Sequence, residues 1–509
     1  MATRAKGRWS FWLRAGLAPV LALLADQLLW DHTVGLNLAL LAVALTAAVA
    51  VTHPHAWRRA WPLLGGALVL GLLQAETPSL IGWAGFSICL AIAVLSARAG
   101  FGQGVWTWIQ RLAWMGLGGL LAPIAALHQL ALKRVRGRKT RGLLSLAGLV
   151  VLPLAGGLLF LALFSAANPV ISNALGNIHW PGVEPFRFLI WGALGAMAFA
   201  LLRPAWLKRT LKLDEAREAI PLPGINPASI TLSLIVFNGL FALQNGLDVA
   251  FLWSGAALPD GMTLADYAHR GAYPLIFTAL LAGLFVLVAL APGSETSQRP
   301  LVRRLVVLWV AQNLFLVASS ILRTLDYIEA YSLTPLRLAA LAWMGLVGLG
   351  LILICWRMIR KRTAAWLINA NALAAGLVLL VFTVVDSGAV TADWNVRHAR
   401  EVGGKGAELD VEYLKRLGPA ALVPVARLEG QGPKWPLSER LRLVRQELMA
   451  DLEAQQADPL SWTWRNHRRL SEARALIAAA PPPRPAPPPA IPPAPPRDTS
   501  ALTSAQTSE

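Results

Sequence analysis

The sequence predicts an all-α fold: a polytopic bundle of about eleven transmembrane helices, then a small α-helical extramembrane region and a disordered Pro-rich tail. Three observations carry this. Hydrophobic residues make up 56% of the 509-residue chain and charged residues only 15%, against about 25% charged in an ordinary soluble domain. The apolar residues gather in blocks of roughly 18–25, the length that crosses ~30 Å of hydrocarbon at 1.5 Å per residue. The basic residues collect between alternate blocks, the asymmetry that orients membrane helices.

In chain order the blocks are 11–30, 34–51, 61–75, 80–96, 112–131, 142–166, 186–203, 229–252, 273–292, 305–322, 338–356 and 365–385. The opening "MATRAKGRWSFWLR" is basic and runs into the first block without a small-residue cleavage site, so it reads as a retained cytoplasmic end and not a signal peptide. Arg58 and Arg59 mark one cytoplasmic loop, and "KRVRGRKTR" at 133–141 marks another. A crossing through 112–131 would put these two loops on opposite sides. That block contains His128 and follows Trp106, Trp108, Gln110 and Arg111, so it is read as interfacial or re-entrant, with a twelfth span as the alternative. Eleven spans leave 26 Lys/Arg in cytoplasmic loops and three in short outer loops, Arg270, Arg323 and Arg337. The N-terminus is then cytoplasmic, and the chain after 385 extracytoplasmic. Trp30, Trp61, Trp253, Trp356 and Trp366 sit at block ends, as interfacial anchors do.

Four parts follow: short or Gly-rich transmembrane segments at 1–131, the main helix bundle at 132–385, an extramembrane helical region at 386–480 and the tail at 481–509. The tail, "PPPRPAPPPAIPPAPPRDTSALTSAQTSE", can bury almost nothing and reads as disordered, partly polyproline II. In the helical region Leu437, Leu441, Val444, Leu448 and Leu452 fall on one helical face. "SWTWRNHRRLSEARALI" mixes Trp and Arg like a helix lying on a membrane surface.

The net charge of +18 is assigned to topology and to anionic lipid, and nucleic acid is set aside as a partner. Cys89 and Cys355 both lie in apolar blocks, so neither a disulfide nor a metal site is expected. There is no His-Glu-x-x-His, Gly-x-Ser-x-Gly or Cys-x-x-Cys. "VGGKGAEL" fails the phosphate-loop spacing, with Ala399 and Gly406 where Gly and Ser/Thr are required. No catalytic residue, metal ligand or cofactor is assigned, and no enzyme is expected.

Polar chemistry concentrates at the outer ends of the later helices. "SSILRTLDYIEAYSLTPLR" at 319–337 holds Arg323, Asp326, Tyr327, Glu329, Tyr331 and Arg337. Gln312, Ser319, Arg323 and Asp326 recur at spacings of seven, four and three and so share a helix face. A second stripe combines Asn238, Asn245 and Asp248, with Gln244 beside it, and the loop "LPDGMTLADYAHRGAYP" adds Asp266, Tyr267 and Arg270. Arg323 is expected to pair with a carboxylate, Asp326 one turn on or Asp248 from another helix, because an unpaired Arg at that depth costs a few kcal/mol. Asp393, Asn395, Arg397 and His398 lie close enough to the last span to cap this cluster, and Asn369 and Asn371 hint at an inner polar route.

These residues carry a resemblance. "SAANPVIS" (165–172), "LADYAHRGAYPLI" (264–276), "QNLFLVASSILRTLDYIEAYSLTPLR" (312–337) and "DWNVRHAR" followed by "LDVEYLKRLGPAALVPV" (393–425) resemble a bacterial family of multi-pass membrane proteins known only as a domain of unknown function, over roughly residues 142–470. The resemblance implies a bacterial cytoplasmic-membrane protein and supplies no catalytic residues. Two classes of function stay open. One is a transporter-like or sensing protein with an outward polar pocket for a small ligand, ion or lipid headgroup. The other is a non-catalytic structural or accessory protein, its polar residues holding helices together and its C-terminal extension recruiting a protein partner. The lipid bilayer is a partner in both.

Overall fold

The computed structural model describes residues 2–96, 99, 102–119, 157, 185–204, 207, 210, 227–254 and 299–480, and every regular element among them is helical. The helices are α1 (Ala2–Leu29), α2 (Leu36–Thr52), α3 (Pro54–Arg59), α4 (Trp61–Glu76), α5 (Leu80–Ser96), α6 (105–119), α7 (Pro185–Leu202), α8 (Pro227–Asp248), α9 (Pro300–Tyr331), α10 (Pro335–Ile359) and α11 (Ala364–Val384). A π-helical turn, Val249–Trp253, extends α8. Beyond them lie α12 (Ser387–His398), α13 (Val411–Arg416), α14 (Leu422–Gly430), α15 (Leu437–Ala457) and α16 (Trp464–Ala479).

The boundaries follow local chemistry. Thr334 caps α10 by accepting from the Arg337 amide at 3.2 Å, with Pro335 in the first turn, and Thr363 caps α11 through the Trp366 amide. Asp386, Asp410 and Thr463 do the same for α12, α13 and α16. Each side-chain oxygen satisfies an amide that the first turn leaves without an intrahelical partner.

By length and composition, α9, α10, α11 and residues Ala228–Asp248 of α8 can cross a membrane. Helix α11 is apolar all round, yet only 11% of its most apolar stretch is buried against protein. Leu373, Leu377, Leu380 and Val381 stand exposed, and lipid is the solvent that covers such a surface. Helices α2, α4, α5 and Ile190–Leu202 are apolar but shorter. Sixteen or seventeen residues rise about 24–26 Å, less than the ~30 Å core. Among the described residues four helices are thus long and apolar enough for a full crossing, fewer than the eleven expected of the whole chain. Blocks 142–166 and 273–292, nearly all of them, and the second half of 112–131 lie outside those residues, as do the basic cluster 133–141 and the tail 481–509.

The helices form two packs. In the first, α1 packs on α7 and α2, and α4 on α2 and α5. Gly71 of α4 sits so close to α2 that a Cβ there would meet the Ala42 Cβ at 2.5 Å, a small-residue approach between membrane helices. In the second, Trp309 of α9 is buried against Phe237 and Phe241 of α8, with ring centroids at 5.3 and 5.8 Å, and Met344 and Leu351 of α10 complete the core. Helices α5 and α11 join the packs. The Asn369 side chain accepts from the Val105 amide at 2.9 Å, and Asn371 donates to Leu367 within its own helix. Both asparagines thus serve helix contacts.

Residues 387–479 build a core of their own. Leu441, Val444, Leu448 and Leu452 of α15 are buried against Leu414, Leu422, Val425, Leu428 and Leu470, and Leu437 packs at its edge. Helix α16 departs from the surface-helix expectation. Leu470 and Ala473 face this core, and its arginines hold the bundle: Arg465 and Arg468 pair with Glu76, and Arg469 with Asp386. Arg465 also donates to the Val384 carbonyl at 2.9 Å. The turn between α1 and α2 joins the same surface, the Leu36 and Asn37 amides donating to the carbonyls of Trp462 and Leu460 at 2.9 Å each. The ends of α1, α4, α9 and α11 therefore meet residues 387–479 at one end of the bundle. Arg58, Arg59, Arg203, Arg303, Arg360, Lys361 and Arg362 flank the opposite helix ends.

At this junction the Ser461 hydroxyl and His32 hold the Asp458 carboxyl down at about 2. A depressed carboxyl pKa contributes to docking above the ordinary carboxylate range, near 4, and loses that contribution as pH falls through the folded value. Protease cleavage around 455–463 should therefore rise between pH about 4 and about 2, read with an acid-active protease. A rise beginning above pH 5 would assign the release to another group.

Candidate functional site

The polar stripes foreseen on α8 and α9 face each other. Gln312 donates to the Asn238 side-chain oxygen at 2.7 Å, and Asn238 donates to the Leu234 and Leu305 carbonyls. Asn245 donates to the Gln312 carbonyl at 3.1 Å. Trp253, stacked on Phe315 at 5.5 Å, donates to the Ser319 hydroxyl at 3.0 Å. Nearest the extramembrane end, Arg323 pairs with Asp248, and Gln244 donates to the same carboxylate oxygen at 3.0 Å. The Arg323 side chain is 5% exposed and that of Asp248 0%. Of the two carboxylates proposed for Arg323, the structure selects the one on the neighbouring helix.

The seam is rich in acceptors. Among the described residues, Asp248 Oδ2, Asn245 Oδ1 and Gln312 Oε1 are buried without a hydrogen bond. Arg323 brings a positive charge to this acceptor-rich interior through its pair with Asp248.

The other candidates fall into two separate places. Tyr327 and Tyr331 pack with centroids 4.8 Å apart, and Arg337 lies over the Tyr327 ring at 4.4 Å while donating to the Tyr331 and Ser332 carbonyls. This set closes the α9–α10 turn. Asp326 and Glu329 instead line a cavity of about 320 Å³ between the end of α9 and the C-terminal helical region, whose other wall holds Trp394, Asn395, His398 and Lys405. Asp266, Tyr267 and Arg270 lie outside the described residues. Periodicity places residues on a face and at a depth, but the C-terminal residues opposite Asp326 and Glu329 are set by the docking of α12.

That docking is specific. Asn395 donates to the Leu333 carbonyl at 3.0 Å and accepts from the Leu333 amide at 2.7 Å, fixing α12 to the α9–α10 turn. The glycines of "VGGKGAEL" have a steric role. The Gly404 and Gly406 amides donate to the carbonyls of Ala399 and His398 at 3.0 and 2.9 Å. A Cβ on either would lie 2.3–2.5 Å from the His398 oxygen. This fold-back places Lys405 beside the cavity.

A second ion pair, with a buried acid and a half-buried base, escaped the sequence reading. Asp26 of α1 accepts from Arg187 of α7 in a bidentate arrangement, at 2.6–3.1 Å, and Arg187 also lies 4.6 Å from the Trp30 ring. The signal was present: Asp26 is the lone acid of its apolar block, and intramembrane ionisable residues are candidates by default.

A family model described as "Domain of unknown function (DUF4153)" matches residues 63–428, beginning in α4 and ending in α14. The match starts earlier than the sequence resemblance, which began near 142, and stops short of 470. Neither a curated protein nor a solved structure matches the chain.

Proposed function

The chain belongs to the DUF4153 family, a domain of unknown function, and from that premise we propose that it is a non-enzymatic, multi-pass protein of the bacterial cytoplasmic membrane. On this reading it takes up or senses a small polar ligand, ion or lipid headgroup at its outer face. The observation that carries the reading is the cavity between α9 and the extramembrane region, lined by Asp326, Glu329, His398 and Lys405. Its volume, about 320 Å³, suits a small ligand. Orientation rests on charge: basic residues at one end of the bundle argue for a cytoplasmic N-terminus and an extracytoplasmic C-terminal region.

A reporter active only outside the cytoplasm should work when fused after residue 390 and fail after residue 362. Cells with and without the gene should then differ in the distribution of a solute or lipid. Equal reporter activity at both points, or an unchanged distribution, overturns the reading. The second reading is an accessory protein that recruits a partner through its C-terminal region. Trp435, Leu443 and Trp464, exposed there, favour it. An unchanged solute and lipid distribution together with a stable co-purifying protein would select it.

A further inference from the structure

Resting on that reading, we infer the chemical class of the ligand: a zwitterion joining a primary ammonium to a phosphate or carboxylate, of the size of a phosphoethanolamine headgroup. The cavity is divided by charge. Asp326 and Glu329 are one turn apart on the α9 wall, and Lys405 and His398 stand on the α12 side. Among the described residues none of Asp326, Glu329 and Lys405 forms an ion pair, although acids and base line one space. Opposite charges that share a cavity without closing on each other are complementary to a ligand carrying both signs. The amides of Gly404 and Gly406 are used in holding the loop to α12, so the anionic group of the ligand is left to the Lys405 ammonium. His398 Nδ1 faces the Trp394 carbonyl at 2.9 Å and therefore donates to it. In the neutral ring its Nε2 is then an acceptor, open to an N–H of the ligand's ammonium.

The cationic end is equally constrained. A quaternary ammonium is recognised by a cage of aromatic faces. This cavity has one indole, Trp394, already stacked on His398 with centroids 3.8 Å apart. Two carboxylates instead match the three N–H donors of a primary ammonium. The depth fits as well. The cavity adjoins the last turns of α9, where Tyr327 and Tyr331 lie, and paired tyrosines at a helix end mark the headgroup level. The shared chemistry has two sources, a lipid headgroup and a free amino acid-like zwitterion.

The test uses the full-length protein purified in a maltoside detergent, with binding read by calorimetry. Glycerophosphoethanolamine should bind at least tenfold more tightly than ethanolamine, inorganic phosphate or glycerophosphocholine. The double substitution Asp326→Asn with Glu329→Gln, and separately Lys405→Gln, should each weaken it tenfold or more. Their melting temperatures should stay unchanged, since these side chains are half-buried or exposed. Glycine separates the sources. Binding of glycine as tight as that of glycerophosphoethanolamine points to a free zwitterion. Displacement of the probe in nanodiscs by phosphatidylethanolamine, and not by phosphatidylglycerol, points to lipid. Equal binding of a singly charged probe, or undiminished binding by the variants, overturns the zwitterion while a ligand site elsewhere or of other chemistry can stand. Absence of binding by every probe overturns the zwitterion, and the proposed function falls with it only when solute and lipid distributions in cells are also unchanged.

Discussion

Asp248→Ala and Arg323→Ala should each destabilise the protein, and the double variant should lose less than the sum of the two. Removing one partner of a buried pair costs about 3–5 kcal/mol because the group that remains loses its counter-charge. The Arg323 side chain is 5% exposed and that of Asp248 0%, so bulk water does not take the place of the lost partner. Apparent melting temperatures of the purified full-length protein measure all three variants. Singles that add up to the double mean the residues are uncoupled.

Gly35→Ala should release the C-terminal helical region from the first helical hairpin. A Cβ at Gly35 would lie 2.4 Å from the Ser461 carbonyl oxygen and 2.8 Å from that of Trp462. Both are backbone atoms, so no side chain can swing aside. Separation would break the bonds from Leu36 to Trp462 and from Asn37 to Leu460, and draw His32 and Thr33 away from Asp458 and Ser461. The expected loss is on the order of 3 kcal/mol, built from several hydrogen bonds at about 1 kcal/mol each. Hydrogen exchange over residues 455–465 should accelerate by roughly two powers of ten, since 1.4 kcal/mol is a factor of ten. Gly66→Ala, where nothing lies within 4 Å, is the control and should leave exchange unchanged. Unaltered exchange in Gly35→Ala would mean that the junction is looser than its geometry.

The pairing of Arg323 was legible because two independent constraints met on it. Helical spacing put Asn238, Asn245 and Asp248 on one face and Gln312, Ser319 and Arg323 on another, and burial of polar groups in an apolar environment requires that such faces find each other. The division of the remaining candidates was not legible. Glu329 and Tyr331 lie two residues apart and so on different faces of their helix, but what each face meets is set by the docking of α12 through Asn395 and Leu333. The partners of Arg465 and Arg468 were hidden for the same reason. Their acid, Glu76, lies 389 and 392 residues away in sequence, and a Trp–Arg mixture reads alike on a lipid surface or on a helix end. Asp26 shows the opposite failure, a visible signal left without a partner because Arg187 lies 161 residues away in sequence. The span count is met only in part among the described residues: apolar content persists through α2, α4 and α5, but these helices stop at 16 or 17 residues, and blocks 142–166 and 273–292 fall almost wholly outside.

The junction at Gly35 has a consequence for synthesis. His32 bonds to a residue 426 positions later, and Thr33 to one 428 positions later. At about 5–20 residues per second, a ribosome needs roughly 20–90 s to make the intervening chain. Throughout that interval the turn between α1 and α2 must hold its shape alone. Asn37 allows it to do so. Its side chain accepts from the Gly35 and Leu38 amides at 2.8 Å and donates to the Leu28 and Thr33 carbonyls at 2.9 Å. All four bonds are local, so the first hairpin emerges with its receiving surface already shaped, and the last helices to be made find their seat waiting.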